Sequence, residues 1–181
     1  MIPIGYMYKS VSAATDWLKN SDVTDIHSLS NCISEDFADY IQYWKHNGYW
    51  LFDEPRIIED LAIAQNIDLS GMTLFYYEAY EEEFDETAGE WRTFAAEPDI
   101  RTDVQAPVEK HLQGFDVVSF YATTDPGCSP LSCNGLAREL PVNQHCLFDD
   151  FEQAKSALET GRFEHAEPGP YRIIAVYTPG Q

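Results

Sequence analysis

The order of elements along the chain predicts an α+β fold: a single compact domain over 1–181, with a mixed or mostly antiparallel sheet and about three helices. Three observations carry this. Strand-like runs alternate with short amphipathic stretches from end to end. A hairpin pattern sits in the middle. The 181 residues are 44% hydrophobic and 14% aromatic, enough for one real core. No internal repeat and no low-complexity linker is evident in the sequence.

Ile2–Lys9 reads as the first strand. A short helical stretch around Ala13–Lys19 follows, then a weaker strand at Val23–Leu29. Ser34 is placed to cap a helix running to about His46, because Phe37, Ile41 and Trp44 share one helical face; Asn47-Gly48 would end it. Pro55 opens a second helix with Ile57, Ile58, Leu61 and Ala62 as its apolar side. Met72–Phe84 and Glu90–Ala95 form a hairpin across the polar turn Asp85–Gly89. Glu97–Gln113, with Pro98 and Pro107, is an irregular crossing. Phe115–Ala122 is the best strand by β-branched and aromatic content. Asp150 and Gln153 resemble a capping box for a helix with Phe151, Ala154 and Leu158 on one stripe, ended by Gly161. Tyr171–Thr178 is the last strand, expected with Phe115–Ala122 in the sheet interior.

Charge narrows the function. Eleven Lys and Arg oppose 31 Asp and Glu, a formal net of −20. Residues 1–90 hold 18 acids and 4 bases; residues 91–181 hold 13 and 7. A field of this sign repels nucleic acid and anionic membranes and attracts basic protein surfaces. Solubility alone also accounts for such acidity. The opening MIPIGYMYKS lacks a basic region followed by a long apolar run, and no stretch approaches the roughly 20 apolar residues of a membrane span. The expected location is the cytoplasm, with the four cysteines as free thiols.

Two stretches stand out. In Tyr76–Glu86, the residues Tyr76, Glu78, Tyr80, Glu81, Glu82, Glu83, Asp85 and Glu86 combine rigid aromatic area with carboxylates. Like charges this close repel unless a partner's Arg or Lys meets them, so these eight are the candidate partner-binding residues. The plainer reading is a solvated hairpin tip or a charged edge strand. No calcium-loop pattern is present.

The second stretch, Cys128–Cys146, offers Cys128, Cys133, His145 and Cys146 as a zinc set. The last two are adjacent and diverge in an extended chain, which weakens it. Cys133 or Cys146 with His145 or His165 and with Asn134 or Asn143 would make a thiol nucleophile set, but no local signature of a thiol enzyme surrounds them. A packed loop tied down by Leu131, Leu136, Leu140, Val142 and Leu147 explains the composition better. His27, His46, His111 and His165 receive no role. Tyr6, Tyr8, Tyr49 and Trp50 are read as core aromatics rather than as a pocket lining.

With no P-loop, G-x-G-x-x-G, H-E-x-x-H or G-x-S-x-G, no catalytic residue and no cofactor is expected, and the chain is read as non-enzymatic. The functional expectation is an acidic protein-binding module that neutralises or regulates a basic partner, such as a toxin or a nucleic-acid-binding protein, in the manner of immunity proteins, antitoxins and nucleic-acid mimics. The alternatives are a small enzyme, thiol-based or zinc-dependent, at the Cys128–Cys146 loop, and an accessory structural subunit.

Overall fold

The computed structural model describes residues 1–18, 22–42, 46–94, 103–120 and 127–180. Lys19, Trp44, Ala95, Glu97, Pro98 and Ala122, named above, lie outside them. The chain forms β1 (Ile2–Lys9), β2 (Ser12–Ala13), β3 (Asp25–Ile26), α1 (Pro55–Gln65), β4 (Thr73–Ala79), β5 (Glu82–Asp85), β6 (Glu90–Thr93), β7 (Lys110–Ser119), α2 (Pro130–Cys133), α3 (Phe151–Glu159) and β8 (Tyr171–Pro179). The recorded strand pairings are all antiparallel, in one six-stranded sheet and a small β2–β3 pair. The α+β class read from the sequence is the class observed.

Strand β8 is central. It pairs with β4 and β5 on one side and β7 on the other, while β1 lies outside β4 and β6 outside β5. Strand β7, expected in the interior, has β8 as its only strand neighbour among the described residues; its other side meets the loop through the Phe115–Phe148 bridge. Helices α1 and α3 cover one face: Tyr8 reaches Glu59 of α1, and Phe115 and Tyr80 meet Phe151 of α3. Successive strand residues point to opposite faces. Lys9, Phe75 and Asp116 therefore project the other way, where Lys9 and Asp116 bond Leu29 and Phe75 touches His27. Two apolar clusters result, one including Phe52, Ile58 and Phe75, the other including Phe148, Leu158 and Ile173.

Local chemistry explains the helices. Pro55 occupies the first turn of α1, and Asn66 closes it in the left-handed region at φ 56°. Asp150 caps α3 by accepting from the Gln153 N–H at 2.8 Å. Among the described residues, the expected Ser34–His46 helix is only a 3-10 turn over Phe37–Tyr40, capped by Asp36 rather than Ser34. Its polar residues favour caps and turns, and Lys9 and β1 engage this segment as an extended covering strap. The Ala13–Lys19 helix is likewise absent among the described residues; Ser12–Ala13 pairs as β2.

The structure contains an internal duplication that the sequence did not betray. Tyr77 lies opposite Val176; Tyr77 also opposes Gly5 of β1, and Val176 opposes Gly114 of β7. Both outer ladders slip beside their glycine, between Pro3 and Gly5 and between Leu112 and Gly114. A local two-fold axis thus passes between β4 and β8, relating β1–α1–β4 to β7–α3–β8. The matching segments are Asn47–Asp53 and Asn143–Asp149, sharing Asn, Leu, Phe and Asp at equal spacing. The match is an Asn followed, after three unrelated residues, by Leu-Phe-Asp, and so short a match flanked by segments of unequal length does not stand out as a repeat.

Candidate functional site

The Tyr76–Glu86 stretch is not one exposed ribbon. It breaks at Tyr80–Glu81, between β4 and β5. Tyr76 is fully buried, packed at a tilt against Tyr6, and donates to Glu78 at 2.9 Å. Glu78 is also buried and forms an ion pair with Lys110, whose ammonium sits over the Tyr177 ring. Glu83 is 7% exposed and bonds Arg92 at 2.7 Å, and Arg92 also holds Asp85 at 2.7 Å. Tyr76, Glu78 and Glu83 are therefore interior groups, a correction to the eight-residue docking ribbon. The reason is the positive charge that the sequence pattern left out: Lys110 and Arg92 arrive from β7 and β6. Tyr80 donates to Glu82 at 2.8 Å and packs on Trp91. Glu81 and Glu86 are exposed.

Glu86 belongs to a different feature. A cavity of about 380 Å³ opens between the β5–β6 hairpin and the C-terminal end of α3. Glu86, Glu159 and Glu164 stand on its rim, and Phe84, Phe163 and Tyr171 form its floor. Glu86 accepts from the Gly169 N–H at 2.9 Å, and Glu159 from the Trp91 indole at 2.8 Å, so two of the three carboxylates are oriented. Burial, with Glu86 nearby, pushes the Tyr171 phenol up. A concave site with an aromatic floor and carboxylates converging above it suits a guanidinium or ammonium group. Glu159 and Glu164 were missed because they come from the far end of the chain.

Of the chain's own cations, Lys155 reaches the groove, 3.9 Å from Glu159. Lys9 and Arg172 are buried. Lys110, Arg92, Arg56 and Lys155 each sit against a carboxylate of the same chain.

The zinc set Cys128, Cys133, His145 and Cys146 does not assemble. Cys146 is fully buried among Phe148 and Leu131 in the α3 cluster, and burial pushes its thiol up. His145 turns to Asp25, at 2.6 Å, and stacks on His27 at 4.1 Å between ring centroids. Cys128 and Cys133 instead meet Cys32, and the three ligand atoms lie within 4.8 Å of one another. Asp25, His27 and His145 form a second group within the same limit. Of the thiol-enzyme candidates, His145 is engaged by Asp25, and Asn143 holds backbone groups of its own loop. Residues two apart in a strand share a face, so Asp25 and His27 could have been paired from the Val23–Leu29 pattern. Cys32 carried no such signal.

A buried ionic layer supports these groups. Lys9 Nζ donates to the carbonyls of Leu29 and Ser30 at 2.8 Å each. Asp116 accepts from the Leu29 N–H at 3.0 Å and the Ser129 hydroxyl at 2.7 Å. Burial pulls Lys9 down to about 8 and pushes Asp116 up to about 7. No helix among the described residues is long and apolar enough to cross a membrane.

Compared with protein-family models, curated proteins and solved structures, the chain matches none. Fold and site together define a class in physical terms: an acidic α+β protein on a duplicated frame, with a carboxylate-rimmed groove at one edge.

Proposed function

We propose that this chain is an acidic protein-recognition module that captures a basic protein partner, as immunity proteins, antitoxins and nucleic-acid mimics do. One observation carries the reading. Glu86, Glu159 and Glu164 converge over an aromatic floor, beside a hairpin edge that adds Glu81 and Glu82. A partner's Arg or Lys entering this groove meets oriented carboxylates and flat apolar area together, while the net charge of −20 draws it in from a distance.

The experiment is charge reversal at two places of similar formal charge. Affinity capture from the native host at low and high salt supplies the basic partner, and binding is then measured with both proteins purified. Glu86→Lys, Glu159→Lys and Glu164→Lys together should weaken the complex by about tenfold or more. Glu54→Lys, Glu59→Lys and Asp60→Lys, on and beside α1, should cost about threefold or less, as long-range attraction alone would. Equal losses would leave the groove no special role. The combination Glu81, Glu82 and Glu83 to Lys is a poor test, because reversing buried Glu83 would expel Arg92 and disturb the fold.

A further inference from the structure

Four free cysteines are spread along the chain as Cys32, Cys128, Cys133 and Cys146, and three of them converge. Cys32 lies on the segment that follows β3 and leads into the strap, Cys128 precedes α2, and Cys133 ends α2. The strap and the α2 loop are already laced together here. The Ser30 N–H donates to the Ser129 hydroxyl at 3.4 Å, and the Ser132 hydroxyl lies 3.3 Å from that of Ser28. Ser30 Oγ accepts from the Cys32 N–H at 3.2 Å and lies 3.7 Å from Cys133 Sγ.

We propose that Cys32, Cys128 and Cys133 form a three-thiolate site for a soft divalent cation, zinc in the first place. Thiolates select soft metals. Zinc–sulfur bonds of about 2.3 Å in a tetrahedron place sulfurs about 3.8 Å apart. Sulfurs already within 4.8 Å reach that spacing by side-chain adjustment alone. The charge also favours a divalent ion, since three thiolates and one Zn²⁺ leave a single negative charge in a chain already strongly acidic. Cys32 is exposed, so the fourth position opens toward solvent, where water completes the shell. Binding would displace the thiol protons and clamp the strap to the α2 loop over the buried Lys9–Asp116 layer. The set differs from the one the sequence suggested: Cys32 enters, and His145 and Cys146 leave.

The test uses the full chain, reduced and stripped with a chelator. Zinc is titrated in competition with a chromophoric chelator, and cobalt is substituted to detect thiolate-to-metal charge transfer. One equivalent should bind, with intense cobalt–thiolate absorption and a raised melting temperature. Cys32→Ser and Cys133→Ser should each abolish stoichiometric binding at micromolar zinc, whereas Cys146→Ser and His145→Ala should keep it. Absence of stoichiometric binding, unchanged binding in both cluster variants, or loss in His145→Ala with retention in Cys133→Ser would overturn the site. So would a chain that, offered zinc and air together, only loses two hydrogens to form a disulfide and retains no metal.

Discussion

Asn47 and Asn143 perform the same task in the two halves of the molecule. Each side-chain carbonyl accepts from two backbone N–H groups, those of Tyr49 and Leu51 for Asn47 and those of His145 and Leu147 for Asn143. Each amide donates at 2.8 Å to the neighbouring strand, to the Ile4 carbonyl in one half and the Gln113 carbonyl in the other. The residue three beyond each is left-handed, Trp50 at φ 57° and Cys146 at φ 63°. Removing either side chain strands three backbone groups that solvent reaches poorly. Asn47→Ala and Asn143→Ala should each cost about 3 kcal/mol in denaturant unfolding. A cost below about 1 kcal/mol at either position would mean that the loop is held by other contacts.

The glycines opposite these loops give a second prediction. Gly5 and Gly114 have φ of +141° and +145°. A Cβ on Gly5 would fall 2.6 Å from Leu51 Cβ, and one on Gly114 would fall 2.7 Å from the Phe148 carbonyl oxygen. Gly5→Ala and Gly114→Ala should each destabilise by about 3 kcal/mol or more, because strain and overlap add. Gly89→Ala, at a left-handed turn with open space around it, should cost only about 1 kcal/mol. Chemical denaturation of the three variants checks the ranking.

Arg172 provides a third. It is fully buried, donates through Nε and Nη2 to the Tyr80 carbonyl at 3.1 and 2.5 Å, and lies 4.0 Å from the centre of the Phe94 ring. Tyr49 and Phe120 face the same guanidinium at 5.7 and 5.6 Å. Arg172→Met and Arg172→Lys should both destabilise, by about 2–3 kcal/mol. Lysine should be no better than methionine, since it keeps a buried charge and loses the flat contact. Thermal melts decide the order, and a lysine variant as stable as the parent would remove the case for the planar cage.

His27 sets a pH dependence. Burial first, and His145 second, lower its pKa to about 4, with Asp25 opposing. The folded chain keeps the ring neutral while the unfolded chain takes a proton near 6.5, so the unfolded state binds more protons between these values. The group's contribution to stability is therefore full above about 6.5 and is lost as pH falls toward about 4. Comparing His27→Gln with the parent across that window should show a smaller decline in the variant, by about 1 kcal/mol after allowance for solvent screening. Parallel curves would show that His27 titrates alike in both states.

Much of the frame was legible in residue order. Ile2–Lys9, the Pro55 helix, the Asp85–Gly89 turn, the Asp150 cap and the final strand are observed close to where periodicity and capping chemistry put them, because these signals act over a few residues. The apolar spacing of Ser34–His46 suits a helix, yet Asp36 caps only a 3-10 turn among its described residues and bridges to Lys9 of β1, so tertiary contacts outweigh a weak propensity. The functional reading was less legible. Tyr76 and Glu78 looked like surface because their neutralising lysine, Lys110, lies on another strand.

Composition and local pattern determined the α+β class, the acidic field and the polar turns, since each depends on residue types and short spacings. Only the tertiary structure decided which charges are spent internally, which three cysteines converge, and that two dissimilar halves share one backbone design. Those outcomes depend on contacts between distant segments, and the positions that enforce the shared design are a glycine and an asparagine in each half, Gly5 with Asn47 and Gly114 with Asn143. They are conserved in role by backbone geometry, while the side chains around them are free to differ.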